Sequence, residues 1–165
     1  MLFRSGGDLS EIDKNAPGIS KTHSLRDAAK GLVELHECLL SHNDIKADNV
    51  FINKSQKKAL LADLGCASPL STASAEKDIQ MFGLMLHEVL SGSNIFDSEG
   101  HSDFLLRKSE FNPIPKEYAH VPEHLQKEAG DLIKSCLYLD GSKRVSSQEL
   151  LSKLDALLKK TEGAI

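Results

Sequence analysis

At 165 residues the chain is long enough for one compact core and short for more. Twenty Lys and Arg face 24 Asp and Glu, a net charge of −4, which gives no electrostatic case for nucleic acid or an anionic membrane. No apolar run approaches the roughly 18 residues of a membrane span. No signal peptide is visible, and the three scattered cysteines, Cys38, Cys66 and Cys136, read as reduced thiols held mostly in the core. A soluble, cytoplasmic domain is the expectation.

In chain order, Met1 to Leu9 opens on an apolar stretch and a Gly6-Gly7 turn, and Asn15-Ala16-Pro17-Gly18 is a second turn. From Ser24 to Leu40 the residues Leu25, Ala28, Ala29, Leu32, Leu35 and Leu39 recur at helical spacing. His42-Asn43-Asp44-Ile45-Lys46-Ala47-Asp48-Asn49 follows as a polar loop. Asn49 to Ile52 has strand character, residues 53–58 make a polar turn, and Ala59 to Ala62 is a short buried strand running into Asp63-Leu64-Gly65. This hairpin returns Asp63 to Asn49, and Gly65 lets the chain swing away. Ser68 to Ala75 is small and hydroxyl-rich, either a short flexible loop or a modification site. Asp78 to Gly92 is a helix with Ile79, Phe82, Met85, Leu86, Val89 and Leu90 on its apolar face.

Asn94 to His124 is the loosest region, broken by Pro113, Pro115 and Pro122, with Leu105, Leu106 and Phe111 tying it to the core. Leu132 to Leu137 belongs to a further helix. Ser146-x-x-Glu149 is a capping box opening a last helix that buries Leu150, Leu151, Leu154, Leu157 and Leu158. The tail from Lys159 frays. The seven histidines show no metal-ligand spacing.

An Asp, a Lys two places on, an Asn five places on and then Asp-x-Gly after a hairpin resembles the catalytic loop and metal-binding triplet of protein kinases. Alone, the loop would also fit a solvated His/Asp turn before an ordinary hairpin. The flanking helices resemble the same family: Gly31 to His36 its helix leading into the loop, Asp78 to Gly92 its central helix, and Leu132 to Arg144 the following helix and turn. The resemblance implies an α+β, mainly α fold: a kinase-like large lobe (residues 1–165) with a short β-hairpin at the site. Within it, residues 1–9 would be a hinge-like start, 42–65 the catalytic loop and hairpin, 66–77 a shortened activation segment and 78–160 a helical subdomain.

The resemblance also implies roles. Asp44 would accept or orient the proton of the attacking hydroxyl, and Lys46 would offset charge on the moving phosphoryl group. Asn49 and Asp63 would hold Mg²⁺ against the phosphates of ATP. The backbone of Leu2 and Arg4 would meet the adenine edge, Asp8 the ribose, and Phe51 the floor beneath the base. Asp78 would hydrogen-bond the catalytic-loop backbone; a surface Asp at a helix N-terminus is the alternative. Cys66 would lie near the nucleotide or be a buried structural thiol.

Departures accompany the match. No G-x-G-x-x-G loop, V-A-I-K lysine or partner Glu is present, so the small lobe of the family is expected to be missing. Asn43 stands where most kinases carry an Arg that grips a phosphorylated residue, so switching of that kind is not expected and Asn43→Arg should change little. Fourteen residues separate Asp63 from Asp78, with no A-P-E; Glu76 lies too close to Asp78 to replace its Glu, leaving Arg144 without an obvious partner. The short segment and the His-Asn-Asp-Ile-Lys variant also resemble kinases that bacterial pathogens inject into host-cell cytoplasm. The function implied is ATP-dependent transfer to Ser/Thr hydroxyls of a protein substrate once a small lobe completes the site, the chain alone being weak or inactive. A degenerate lobe that docks a protein partner is the alternative, and a small-molecule phosphotransferase a third. Self-association through the surface around Leu2, Phe3 and Phe51 is expected.

Overall fold

The computed structural model of the protein describes residues 7–11, 18–53, 57–92, 118 and 121–163. Its main elements are helices α1 (Gly18–Glu37), α2 (Thr72–Ser91), α3 (Gln126–Cys136) and α4 (Ser147–Gly163). Between α1 and α2 lie strands β1 (Leu40–Ser41), β2 (Val50–Asn53), β3 (Lys58–Leu61) and β4 (Ser68–Pro69). They form two antiparallel pairs: β1 with β4, Ser41 facing Ser68, and β2 with β3, Val50 facing Leu61. This is the mainly helical α+β arrangement that the sequence implies. Among the described residues no helix is long and apolar enough to cross a membrane.

The core is assembled around two helices. Helix α1 buries Leu25, Ala28, Ala29 and Leu32 between α4 and β3. Helix α4 meets it with Leu150, Leu154, Leu157 and Leu158, with Leu151 partly buried, as its leucine spacing indicates. Helix α2 is buried over most of its circumference from Asp78 to Leu90 and packs on α3. Side chains such as Phe82 and Leu86, wholly out of water, contribute about 1.5–3 kcal/mol each. The α2–α3 approach requires Gly83, because a Cβ there would lie 2.6 Å from Cys136 Cβ.

Helix ends follow local chemistry. Ser146 and Glu149 form the expected box: the Ser146 amide donates to Glu149 Oε2 at 2.7 Å and the Glu149 amide to Ser146 Oγ at 3.2 Å. Helix α2 starts at Thr72, well before Asp78. There the Ser71 amide donates to Ser74 Oγ at 2.9 Å and the Ser74 amide to Ser71 Oγ at 3.1 Å, and Ala73 and Ala75 are strong helix formers. Residues 68–75 are therefore a two-residue strand and a capped helix start, not a loop. Helix α1 likewise begins earlier than Ser24.

The cysteines also differ from expectation. Cys136 is buried in α3, but Cys38 and Cys66 are exposed, since both sit on turns that point away from the core. Leu2, Phe3 and Arg4, the turn at 15–17, the hairpin tip at 54–56, Leu105, Leu106, Phe111, Pro113 and Pro115 lie outside the described residues.

Candidate active site

The hairpin does the first assembly. The Ala62 amide donates to the Asn49 carbonyl at 2.8 Å, one step beyond the Val50–Leu61 pair. Asn49 and Asp63 are thereby delivered to the same end of β2 and β3. Asn49 closes a 3-10 turn (Ala47–Asn49), and its amide donates to the Lys46 carbonyl at 3.0 Å.

Asp44, Lys46 and Asn49 form one bonded group. Lys46 Nζ lies 3.0 Å from Asp44 Oδ2, and Asn49 Nδ2 donates to the same oxygen at 2.9 Å and to the Asp44 carbonyl at 2.7 Å. Burial raises the Asp44 pKa, but the hydrogen bonds from Lys46 and Asn49, with the positive charge of Lys46, outweigh it and hold the carboxyl below its ordinary value. The Lys46 pKa is raised, first by the hydrogen bond to Asp44; Asp48 and Asp63 add to the negative field around it. Asp44 Oδ1 has no hydrogen bond to a described residue.

Asp78 is the anchor beneath this loop. Its carboxylate is fully buried. Oδ1 accepts the Asn43 amide at 2.8 Å, and Oδ2 accepts the His42 amide at 2.9 Å and His36 Nε2–H at 3.0 Å. The contact to the loop backbone expected from the family resemblance is present, and the surface alternative is excluded by burial. His42, also buried, stands beside it: Nε2 meets the Ala62 carbonyl at 2.8 Å, and Nδ1 accepts the Asp44 amide at 3.2 Å. The tautomer with its proton on Nε2 satisfies both. A ring between the loop and the strand end thus fixes Asp44 relative to Asp63.

The turn after β3 departs from expectation in one respect. The left-handed residue is Asp63 itself, at φ +63°, and Gly65 has no positive φ. Asp63 Oδ1 accepts the Gly65 amide at 3.3 Å, and a Cβ on Gly65 would come within 3.1 Å of that oxygen. Gly65 serves close approach to the carboxylate; the reversal is made by the Asp, a residue type that tolerates this conformation.

Of the proposed nucleotide contacts, Asp8 and Phe51 are brought side by side. They form an antiparallel bridge, and the Ile52 amide donates to the Gly7 carbonyl at 3.0 Å. Asp8 Oδ1 also accepts the Ser10 amide at 3.0 Å, closing the turn at Leu9–Glu11. Leu2 and Arg4 lie outside the described residues. Phe51 is half-buried, and Leu60 and Leu64 are exposed beside the site.

Two relationships escape the sequence pattern. Asn43 Nδ2 lies 3.1 Å from Ser41 Oγ, 3.0 Å from the Cys66 carbonyl and 2.9 Å from Ser68 Oγ. The position reads in sequence as a lost Arg, whereas in the fold it is an occupied junction. Arg144 does have a partner: Nη1 donates to the Glu76 carbonyl at 2.8 Å and Nε to the Tyr138 carbonyl at 2.8 Å. Because α2 starts early, Glu76 is helical and its backbone, not its carboxylate, meets the guanidinium. Asn in a loop next to Ser41 is the only signal that could have pointed to the first.

A mainly helical domain carrying this loop on this hairpin is protein-kinase-like, and its relatives are serine/threonine protein kinases. The chain is 26% identical over 177 residues to the probable serine/threonine-protein kinase HSL1 of Saccharomyces cerevisiae, covering 90% of the chain and 11% of that protein. It is 30% identical over 165 residues to the serine/threonine-protein kinase pkn2 of Myxococcus xanthus, covering 81% and 19%. With the serine/threonine-protein kinase ULK3 of Homo sapiens it shares 28% over 181 residues, covering 92% and 37%. The chain thus spans between 11% and 37% of the length of these three. No protein-family model matches the chain.

Proposed function

We propose that the chain is the large-lobe half of a Ser/Thr-type protein kinase site, transferring the γ-phosphoryl group of ATP to a protein hydroxyl when a small lobe completes the pocket. The observation that supports this most directly is the bonded group Asp44–Lys46–Asn49, seated on the buried Asp78 and facing the end of the hairpin that carries Asp63.

The residues suit the parts. Asp44 has one carboxylate oxygen engaged by Lys46 and Asn49, leaving Oδ1 to take a hydrogen bond from an incoming hydroxyl. With its pKa held low, Asp44 is a weak base. It orients the hydroxyl and receives the proton late, as a loose phosphoryl transition state requires. Lys46 remains positive and offsets charge developing on the transferred group.

The oxygen donors fit Mg²⁺. Asn49 has its Nδ2 committed to Asp44, which turns its carbonyl oxygen to the other side, and Asp63 is exposed with only Oδ1 engaged, by Gly65. These two would hold the ion, which when bound neutralises the phosphates. Asp8 and Phe51, joined at one edge, would border the nucleoside.

The test is transfer of labelled phosphate by the chain once a small lobe is supplied, by upstream sequence or by fusion of a related one. Asp44→Asn should lower transfer by about 10²–10⁴-fold with nucleotide affinity nearly unchanged. Asp63→Asn should weaken affinity and raise the Mg²⁺ requirement as well. Transfer surviving Asp44→Asn would remove this reading and leave a docking module in its place.

A further inference from the structure

Asn43 occupies a conformation and a junction at once. Its φ is +66°, a region that Asn, Asp and Gly tolerate best, and this alone would account for a short polar residue. The side chain argues for more. Its amide nitrogen faces three oxygens drawn from both sides of the site: Ser41 Oγ before the catalytic loop, and the Cys66 carbonyl and Ser68 Oγ after the Asp63 turn. Ser41 Oγ in turn lies 3.2 Å from the Ser68 carbonyl and 3.1 Å from Ser68 Oγ. Around these side chains the backbone is laced as well, by the β1–β4 pair and by the Leu70 amide donating to the Leu39 carbonyl at 2.8 Å.

One of the three oxygens decides the chemistry. The Cys66 carbonyl can only accept, so the position needs a donor. An Asp would satisfy the backbone conformation and could accept from the two Ser hydroxyls, but it would set a carboxylate against that carbonyl. The Asn43 backbone is meanwhile held from below by Asp78. The residue therefore connects the buried anchor, the catalytic loop and the segment that carries Asp63 onward.

We propose that Asn43 is a positioning residue: its side-chain amide clasps Cys66 and Ser68 to the catalytic loop and so holds the Asp63 turn in place, with neutral groups and no phosphorylated residue. The clasp is a matter of geometry, while its consequence for metal binding rests on the kinase reading above.

The chain completed by a small lobe and its Asn43→Asp and Asn43→Gly variants are compared by amide hydrogen exchange. Both replacements tolerate a positive φ, so backbone strain is not introduced. The Ala67 and Leu70 amides should exchange roughly five- to tenfold faster in each variant, while the core amides of α1, such as that of Leu32, stay unchanged. The Mg²⁺ concentration that half-saturates transfer should rise by a similar factor, with the rate at saturating Mg²⁺ reduced much less. Unchanged exchange at 67–70 in Asn43→Asp would overturn the clasp. Equal acceleration in α1 would reduce Asn43 to a general stability residue, and faster local exchange with an unchanged Mg²⁺ requirement would sever it from Asp63; either result overturns the proposal. If the parent protein transfers no phosphate, the kinase reading fails, and the exchange comparison still decides the clasp.

Discussion

The carboxylate of Asp78 accepts the backbone amide of Asn43 at 2.8 Å across a sequence separation of 35 residues. A helix in the middle of the core thus holds the loop that carries Asp44, Lys46 and Asn49. The bond is made to backbone, so the loop's shape is fixed independently of which side chains it presents.

Removing that carboxylate should cost stability before chemistry. Asp78→Ala strands the buried N–H of His42 and the partly buried N–H of Asn43, and leaves His36 Nε2 without its acceptor. A loss of roughly 3–5 kcal/mol is expected from breaking a buried, fully bonded charge. Urea unfolding of the variant against the parent measures it; a change under 1 kcal/mol would mean water replaces the carboxylate.

The Asp44–Lys46 pair should be silent to pH over the neutral range. The Asp44 pKa lies below its ordinary 3.8 and the Lys46 pKa above its ordinary 10.5, so both groups are charged between. The attraction is present above the unfolded carboxyl value and is lost only as pH falls through the lower folded one. The profile of kcat/KM should show no limb from this pair between about pH 5 and 9. A limb near pH 6 that moves in Asp44→Glu would contradict the assignment.

Gly83→Ala should loosen the contact of α2 with α3. The new Cβ would meet Cys136 Cβ at 2.6 Å and Leu137 at 3.0 Å, both on a packed helix end. Overpacking of this kind costs about 1–3 kcal/mol, against a gain of under about 1 kcal/mol in helix propensity. Thermal unfolding should show a lower midpoint. A companion Cys136→Ala replacement removes little in the way of the clash, because Cβ remains, and should not restore it.

His87 should make stability fall on mild acidification. It is buried on α2 against Tyr118, ring centroids 5.9 Å apart and nearly perpendicular. Burial lowers its pKa from the ordinary 6.5. The unfolded chain therefore binds the proton more readily, and the contribution, complete above pH 6.5, declines as pH falls toward the folded value. Urea midpoints at pH 7.5 and 5 should differ more in the parent than in His87→Gln. Equal differences would place the sensitivity elsewhere.

The sequence carried what spacing encodes. The hairpin, the last helix with its Ser146–Glu149 box and the Asp78 contact to the loop all follow from local pattern or from the resemblance it supports. What it did not carry depends on which groups bond one another, near or far in the chain. The start of α2 at Thr72 was hidden because Ser71 and Ser74 look like loop residues until each is seen to cap the other. Of the two readings of Cys66, a buried structural thiol fails because its turn faces outward. Asn43 reads in sequence only as the lack of an Arg that most protein kinases carry. Its three acceptors come from Ser41, Cys66 and Ser68, and they revise the expectation that Asn43→Arg is silent: a long cation in a left-handed conformation would displace the amide.

The packing of α1 against α4 has a consequence for biosynthesis. Helix α1, with Leu25, Ala28 and Leu32, meets β3 early, but its second cover comes only when Leu150, Leu154 and Leu157 of α4 have been made. At roughly 5–20 residues per second on the ribosome, α1 waits several seconds or more with the side that α4 covers exposed. Nascent chains stalled before α4 should therefore be held by chaperones and cut by protease, and become resistant only once α4 has emerged from the exit tunnel.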